Sequence, residues 1–173
     1  MTTLIERAKE FAFAAHNAID QHRKFTGEPY VVHIERVAKL VASVVHDERM
    51  IAAAYLHDTV EDTTVTFDDI AEHFGADVAY IVIYLTSVSR PKDGNRATRK
   101  EVDRRHIARG DARVHTVKLA DLIDNVGAIA AADAKFAAVY MEEKRLLLPV
   151  LADGHPVLFE EATRLIKQWF DGK

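Results

Sequence analysis

The chain has 173 residues, 49% of them hydrophobic, no cysteine and a formal net charge of −4. That length and apolar content predict one domain with a substantial core, and the missing thiols leave only His, Asp and Glu to hold a metal. The acidic total argues against general nucleic-acid binding. No apolar run reaches the length of a membrane span and residues 1–22 lack a secretory pattern, so the cytoplasm is the expected compartment.

Thr3 and Glu6 predict a capping box, followed by Leu4, Ala8, Phe11, Ala15 and Ala18 at helical spacing to about His22. Arg23 to Tyr30, with Gly27 and Pro29, reads as a loop. His33 then opens a second helix with Val37, Leu40, Val41 and Val44 on its apolar face. Asp47 caps a third helix, apolar around its whole circumference from Met50 to Leu56 and therefore buried. Thr66 with Asp69 caps a short helix that Gly75 ends, and Val78 to Val88 reads as a further buried helix. Arg90 to Gly94 is turn-like, and Arg96 to Arg109 is a polar, mostly basic helix or ordered loop. Val114 to Ala132 is a long helix, and two more start near Asp133 and Pro156. With no repeat, low-complexity tract or long linker, the predicted fold is all-α, a single domain over residues 1–173 built as a bundle of roughly eight helices.

The third helix ends in His57-Asp58-Thr59-Val60-Glu61-Asp62. On a continuous helix, at about 100° per residue, His57, Asp58, Glu61 and Asp62 fall within an arc of about 140° and point into one cleft. Burying an imidazole and three carboxylates is costly unless a cation compensates them. His57 and Asp58 offer the nitrogen and oxygen donors that Mn²⁺ or Mg²⁺ accepts, and His33, after a Gly-Glu-Pro-Tyr turn, is well placed to join them. Lys118, Asp121 and Asn125 share one face of an apolar stretch. That pattern fits a satisfied buried network, and equally the delivery of a metal ligand, a charge partner and an amide to a nucleotide.

Charge is divided along the chain. Residues 46–80 carry nine Asp or Glu against one Arg, whereas residues 90–118 carry ten Lys or Arg against four acids. An acidic metal-holding region beside a basic one suits a small polyanionic substrate, and two solvated faces of opposite sign account for it as well. His16, His22, His46, His73, His106, His115 and His155 show no ligand spacing and read as structural or surface residues. Phe11, Phe13, Trp169 and Phe170 read as packing residues.

The motifs together resemble a known family. His57-Asp58 with the distant Asp121 is similar to the HD phosphohydrolase superfamily. Arg23-Lys24, Gly27-Glu28-Pro29-Tyr30, His33, AAAYLHDTVEDT from Ala52 to Thr63, FGADV from Phe74 to Val78 and KLAD from Lys118 to Asp121 resemble, in order, the RelA/SpoT-type alarmone hydrolase domain. The resemblance covers residues 1 to about 130, and the chain is similar to the small stand-alone hydrolases of animals.

It implies one Mn²⁺ per chain held by His33, His57, Asp58 and Asp121, with Glu61 and Asp62 as the catalytic acidic pair. It also implies, together with charge, substrate contacts from Arg23, Lys24, Arg99, Lys100, Lys118 and Asn125, with Arg96 and Arg104 as further basic residues. The implied reaction is attack at the 3′-linked phosphorus of guanosine tetra- or pentaphosphate, releasing pyrophosphate and GDP or GTP. No nucleic-acid polymer or membrane is an expected partner. Three departures stand out. Leu122-Ile123-Asp124-Asn125 replaces the family's Arg-Leu-His-Asn, Ile34 replaces a proline, and Phe25-Thr26 lengthens the basic loop. The first leaves adenosine 3′-pyrophosphates and the 2′-phosphate of NADPH open as substrates. A helical sensor that binds a nucleotide without hydrolysing it is the alternative from another functional class.

Overall fold

In the computed structural model, which describes residues 2–129 and 132–172, the Thr3 hydroxyl accepts from Glu6 N while the Glu6 carboxylate accepts from Thr3 N. This box starts α1 (Leu4–Ala18), whose buried stripe is Ala8, Ala12 and His16. The helix ends before the expected His22, because Asp20 turns the chain with φ 49°, a left-handed conformation that Asp tolerates better than most residues. Ala18, expected on the apolar face, is exposed. α2 (Tyr30–Ala42) begins three residues ahead of His33, which places that imidazole inside the first turn and in the core.

Asp47 accepts from Arg49 N and Met50 N to start α3 (Glu48–Leu56), and every residue from Met50 to Leu56 is buried. The expected continuous helix through Asp62 does not form. The chain breaks at His57-Asp58 and resumes as a single turn, α4 (Thr59–Asp62). A second capping box, Thr66 with Asp69, starts α5 (Phe67–Phe74), and Gly75 at φ 88° ends it and leads into α6 (Ala76–Leu85). In this part of the chain α3 is the hub, packed by α1, α2 and α6.

The chain divides into two compact units, Met1–Thr86 and Ser87–Lys173. In the second, a 3₁₀ turn at Pro91–Asp93 precedes α7 (Arg96–Ile107), a capped helix rather than a loop, of which only Ile107 is buried. Asp111 caps α8 (Ala112–Ala128). The helix predicted there ran to Ala132, and residues 130 and 131 of that span lie outside the described residues. Asp133 caps α9 (Ala134–Leu147), and a 3₁₀ turn at Leu148–Leu151 leads to α10 (Pro156–Asp171). Val117, Leu122, Met141, Leu151, Leu158 and Ile166 form the core of this unit.

Gly154 in the second unit admits no side chain, because an added Cβ would lie 2.7 Å from Leu119 Cδ1 and 3.1 Å from two backbone atoms. His115 is buried and bridges the Ile107 carbonyl, at 2.8 Å from Nε2, and the Asp153 carboxylate. Phe170, expected in the packing, is 39% exposed. Among the described residues there are ten α-helical segments and no strand, only an isolated bridge between His22 and Pro29. The all-α expectation holds, and the break after Leu56 adds a segment to the expected number. No described helix is long and apolar enough to cross a membrane.

Candidate metal centre

His33 from α2 and the His57-Asp58 pair after α3 converge. One ligand atom from each lies within 4.8 Å of the others, and both imidazoles are almost fully buried, at 1% and 2% exposed. Nδ1 of His57 lies 2.8 Å from the Ala54 carbonyl. A carbonyl only accepts, so Nδ1 carries the proton and Nε2 presents a lone pair. Nε2 faces Asp58 Oδ2 at 3.0 Å, and His33 Nε2 lies 3.6 Å from the same oxygen, which also accepts from the Tyr30 hydroxyl at 2.6 Å. Two acceptors at that separation in a buried cluster need positive charge between them, either a proton on the imidazole or a bound cation. The donor set, two imidazole nitrogens and a carboxylate oxygen, fits a divalent ion of the Mn²⁺, Mg²⁺, Fe²⁺ or Co²⁺ type.

The break that follows α3 has a local cause. His57 Nδ1 and Thr59 Oγ1 donate to the carbonyls of Ala54 and Leu56, at 2.8 and 2.7 Å, and so compete for acceptors that a continuing helix would use. Glu61 and Asp62 are both exposed on that turn, and Asp62 N still donates to the Asp58 carbonyl at 3.0 Å, a helical contact that keeps these two residues one turn apart. Asp62 nonetheless has neighbours. Reduced hydration of its carboxyl, then the Asp58 charge, push it up to about 6, while a hydrogen bond from Gln21 Nε2 at 2.9 Å opposes the rise.

Arg23 N donates to the Glu28 carbonyl at 2.8 Å and Gly27 N to the Arg23 carbonyl at 2.9 Å, which closes the basic loop on itself. Gly27 has φ 71°, a conformation that favours glycine. Arg23 is 7% exposed, with its guanidinium 3.8 Å from Glu28. Lys24 is exposed, over the Phe25 ring at 5.5 Å.

In the second unit the expected Lys-Asp-Asn face forms on α8. Asp121 is 4% exposed, Lys118 Nζ lies 2.7 Å from its Oδ2, and Asn125 Nδ2 donates to its Oδ1 at 2.5 Å. The basic residues here separate into two sets. Arg96 pairs with Glu143, Arg104 and Arg105 with Glu101, Arg113 with Asp111, Arg145 with Glu142 and Arg164 with Glu161. Arg99, Lys100 and Lys144 are half-buried, and among the described residues no carboxylate comes within 4.0 Å of them. Lys144, which sequence reasoning passed over, sits 4.5 Å above the Tyr140 ring. Burial, then the Lys118 charge, bring its pKa down to about 8.

The chain is 41% identical over 143 residues to a guanosine-3′,5′-bis(diphosphate) 3′-pyrophosphohydrolase of Aquifex aeolicus, covering 82% of this chain and 19% of that protein. It is 36% identical over 117 residues to the Drosophila melanogaster guanosine-3′,5′-bis(diphosphate) 3′-pyrophosphohydrolase MESH1, covering 66% of this chain and 64% of that one. The chain thus spans about a fifth of the length of such bacterial relatives, 19% and 20% for those of Aquifex aeolicus and Synechocystis. Among solved structures, a metazoan ortholog of SpoT that hydrolyzes ppGpp superposes with a TM-score of 0.86 at 25% identity, over 97% of this chain and 96% of the other. The protein lmo0812 of Listeria monocytogenes EGD-e superposes with a TM-score of 0.69 at 26% identity, over 87% of this chain and all of that one. Residues 8–153 match the family described as the HD domain, and by that match, over most of its length, this chain belongs to the HD-domain family.

Proposed function

We propose that the chain is a metal-dependent phosphohydrolase that removes the 3′-pyrophosphate from guanosine alarmones, giving GDP or GTP and pyrophosphate. The observation that carries this reading is the opposed pair His57 Nε2 and Asp58 Oδ2, 3.0 Å apart beside the buried His33, in a chain similar to enzymes named for that reaction. The family match runs through both units, which supports treating residues 1–173 as one functional domain. The absence of cysteine and a nucleotide substrate suit a cytoplasmic enzyme.

His33, His57 and Asp58 are the proposed ligands of a Mn²⁺ ion, with Asp121 assigned as the fourth on the resemblance. When bound, the ion lowers the pKa of a coordinated water and neutralises phosphoryl charge. Asp62, with a pKa near neutrality, is suited to take a proton from the attacking water, and Glu61 to orient that water. Arg23, Lys24, Arg99, Lys100 and Lys144 neutralise the substrate phosphates. Lys118 holds Asp121 in place, and Asn125 meets the nucleoside.

Leu122 and Asp124, where relatives of the resemblance carry Arg and His, are the observation that favours a second reading, in which the same centre acts on adenosine 3′-pyrophosphates or on the 2′-phosphate of NADPH. Product analysis separates the readings. Metal-depleted protein, with and without added Mn²⁺, is incubated with guanosine tetraphosphate, an adenosine 3′-pyrophosphate and NADPH. Mn²⁺-dependent pyrophosphate release from the guanosine compound is expected. Orthophosphate from NADPH alone, or release confined to the adenosine compound, would move the substrate, and nucleotide binding without any product would replace the enzyme with a sensor.

A further inference from the structure

We propose that His16 and Gln21 are positioning residues, a hydrogen-bonded brace that fixes the orientation of the Asp62 carboxylate. The catalytic consequence rests on the hydrolase reading above, whereas the brace itself can be tested without turnover. His16 is 1% exposed, on the buried stripe of α1, and its Nδ1 lies 2.6 Å from Gln21 Oε1. Gln21 Nε2 reaches Asp62 Oδ2 at 2.9 Å. The backbone of Gln21 is held from both sides, its N–H donating to the His16 carbonyl at 3.2 Å and its carbonyl accepting from Tyr30 N at 2.9 Å. The left-handed Asp20 makes that reversal possible.

Donor and acceptor chemistry gives this chain one direction. An ionised Asp62 only accepts, so the amide nitrogen of Gln21 must face it, and the amide oxygen must face His16. His16 Nδ1 therefore carries the hydrogen, and its Nε2, buried and with no hydrogen-bond partner among the described residues, is the unprotonated nitrogen. Burial holds the imidazole below its ordinary pKa, which keeps the ring neutral. An alanine like Ala8 or Ala12 would continue the stripe without burying a polar ring. The imidazole is also 5.0 Å from the ring of Tyr30, whose hydroxyl donates to Asp58. One buried side chain thus supports a proposed catalytic carboxylate on one side and lies against the support of a proposed ligand on the other.

The test uses the 173-residue chain with ¹⁵N-labelled histidine. Nuclear magnetic resonance at neutral pH is expected to show His16 protonated on Nδ1 and bare on Nε2, and Gln21→Leu is expected to release that tautomer preference. In turnover, Gln21→Leu and His16→Ala are expected to lower kcat by about 10–100-fold with KM unchanged, as for other residues that orient a functional group. His16→Gln, whose amide can still donate to Gln21, should recover part of the loss, and thermal melts check that each variant folds. An Nε2-protonated His16, or a folded Gln21→Leu variant with parental kcat, overturns the brace. A parent that turns over no nucleotide overturns the hydrolase reading instead, and the His16 tautomer still decides the brace.

Discussion

Two carboxylates, Asp58 in the first unit and Asp121 in the second, are compensated in opposite ways. Asp121 has both oxygens satisfied from its own helix, one by Lys118 and one by Asn125. Asp58 faces a second acceptor, the Nε2 of His57, and accepts from the Tyr30 hydroxyl. A buried carboxylate with its own cation is at rest. One set against a lone pair carries a demand for positive charge, which a bound ion would meet.

The largest expected effect follows from breaking the Asp58 side. Asp58→Asn replaces the opposing oxygen with an amide that can donate to His57 Nε2. It should abolish turnover and the stabilisation by divalent cations, beyond the roughly 10–100-fold loss typical of residues that merely support a ligand. In the metal-free state the same change should raise the melting temperature, because the opposed acceptors are gone; calorimetry with and without Mn²⁺ reads both signs. Lys118→Met does the reverse in the second unit. It leaves Asp121 buried without its cation and should cost about 3 kcal/mol in chemical denaturation.

Lys144→Met sharpens the comparison on the cationic side. Loss of a charged contact to phosphate should raise KM by roughly 10–100-fold and change kcat less. The stability effect has the opposite sign. A lysine whose folded pKa is pressed down to about 8 from 10.5 opposes folding most fully below pH 8, and the opposition fades as pH rises toward 10.5. The variant should therefore be more stable than the parent at pH 7, with the gain vanishing in alkaline melts. The smallest effect is spectroscopic. In metal-free protein the Asp62 carboxyl should titrate near 6, and it should move down when Mg²⁺ supplies a neighbouring positive charge. Because its folded pKa is raised above the usual 3.8, this group adds stability as pH falls through 6, and that contribution shrinks in the presence of the ion.

Much of this was legible in the chain. Thr3 with Glu6, Asp47, Thr66 with Asp69, and Asp133 announce their helices by cap chemistry that acts over three residues, and each cap forms. The convergence of His33 with His57 and Asp58 followed from a motif, not from periodicity. The break after Leu56 was hidden because no Gly or Pro marks it. Side-chain donors from His57 and Thr59 bond to α3 carbonyls where the helix is interrupted, a competition that a wheel drawn through residues 57–62 does not show. The His16–Gln21 contact depends on a left-handed Asp20, a residue type that the sequence alone does not tie to that conformation. Lys144 was invisible for a different reason. What distinguishes it is that its acidic neighbours Glu142 and Glu143 are engaged by Arg145 and Arg96, a pairing that exists only in three dimensions.

α3 buries all of Met50 to Leu56 and has α1, α2 and α6 packed against it. Its amide hydrogens are expected to reach solvent only when the surrounding packing opens as a whole, so hydrogen exchange should find it among the slowest segments of its unit. His57 and Asp58 hang directly from the end of that segment. An ion held there would not be released by fraying of the element that presents these two side chains, and among His33, His57 and Asp58 it is Asp58, with 19% of its side-chain surface facing solvent, past which exchange would run.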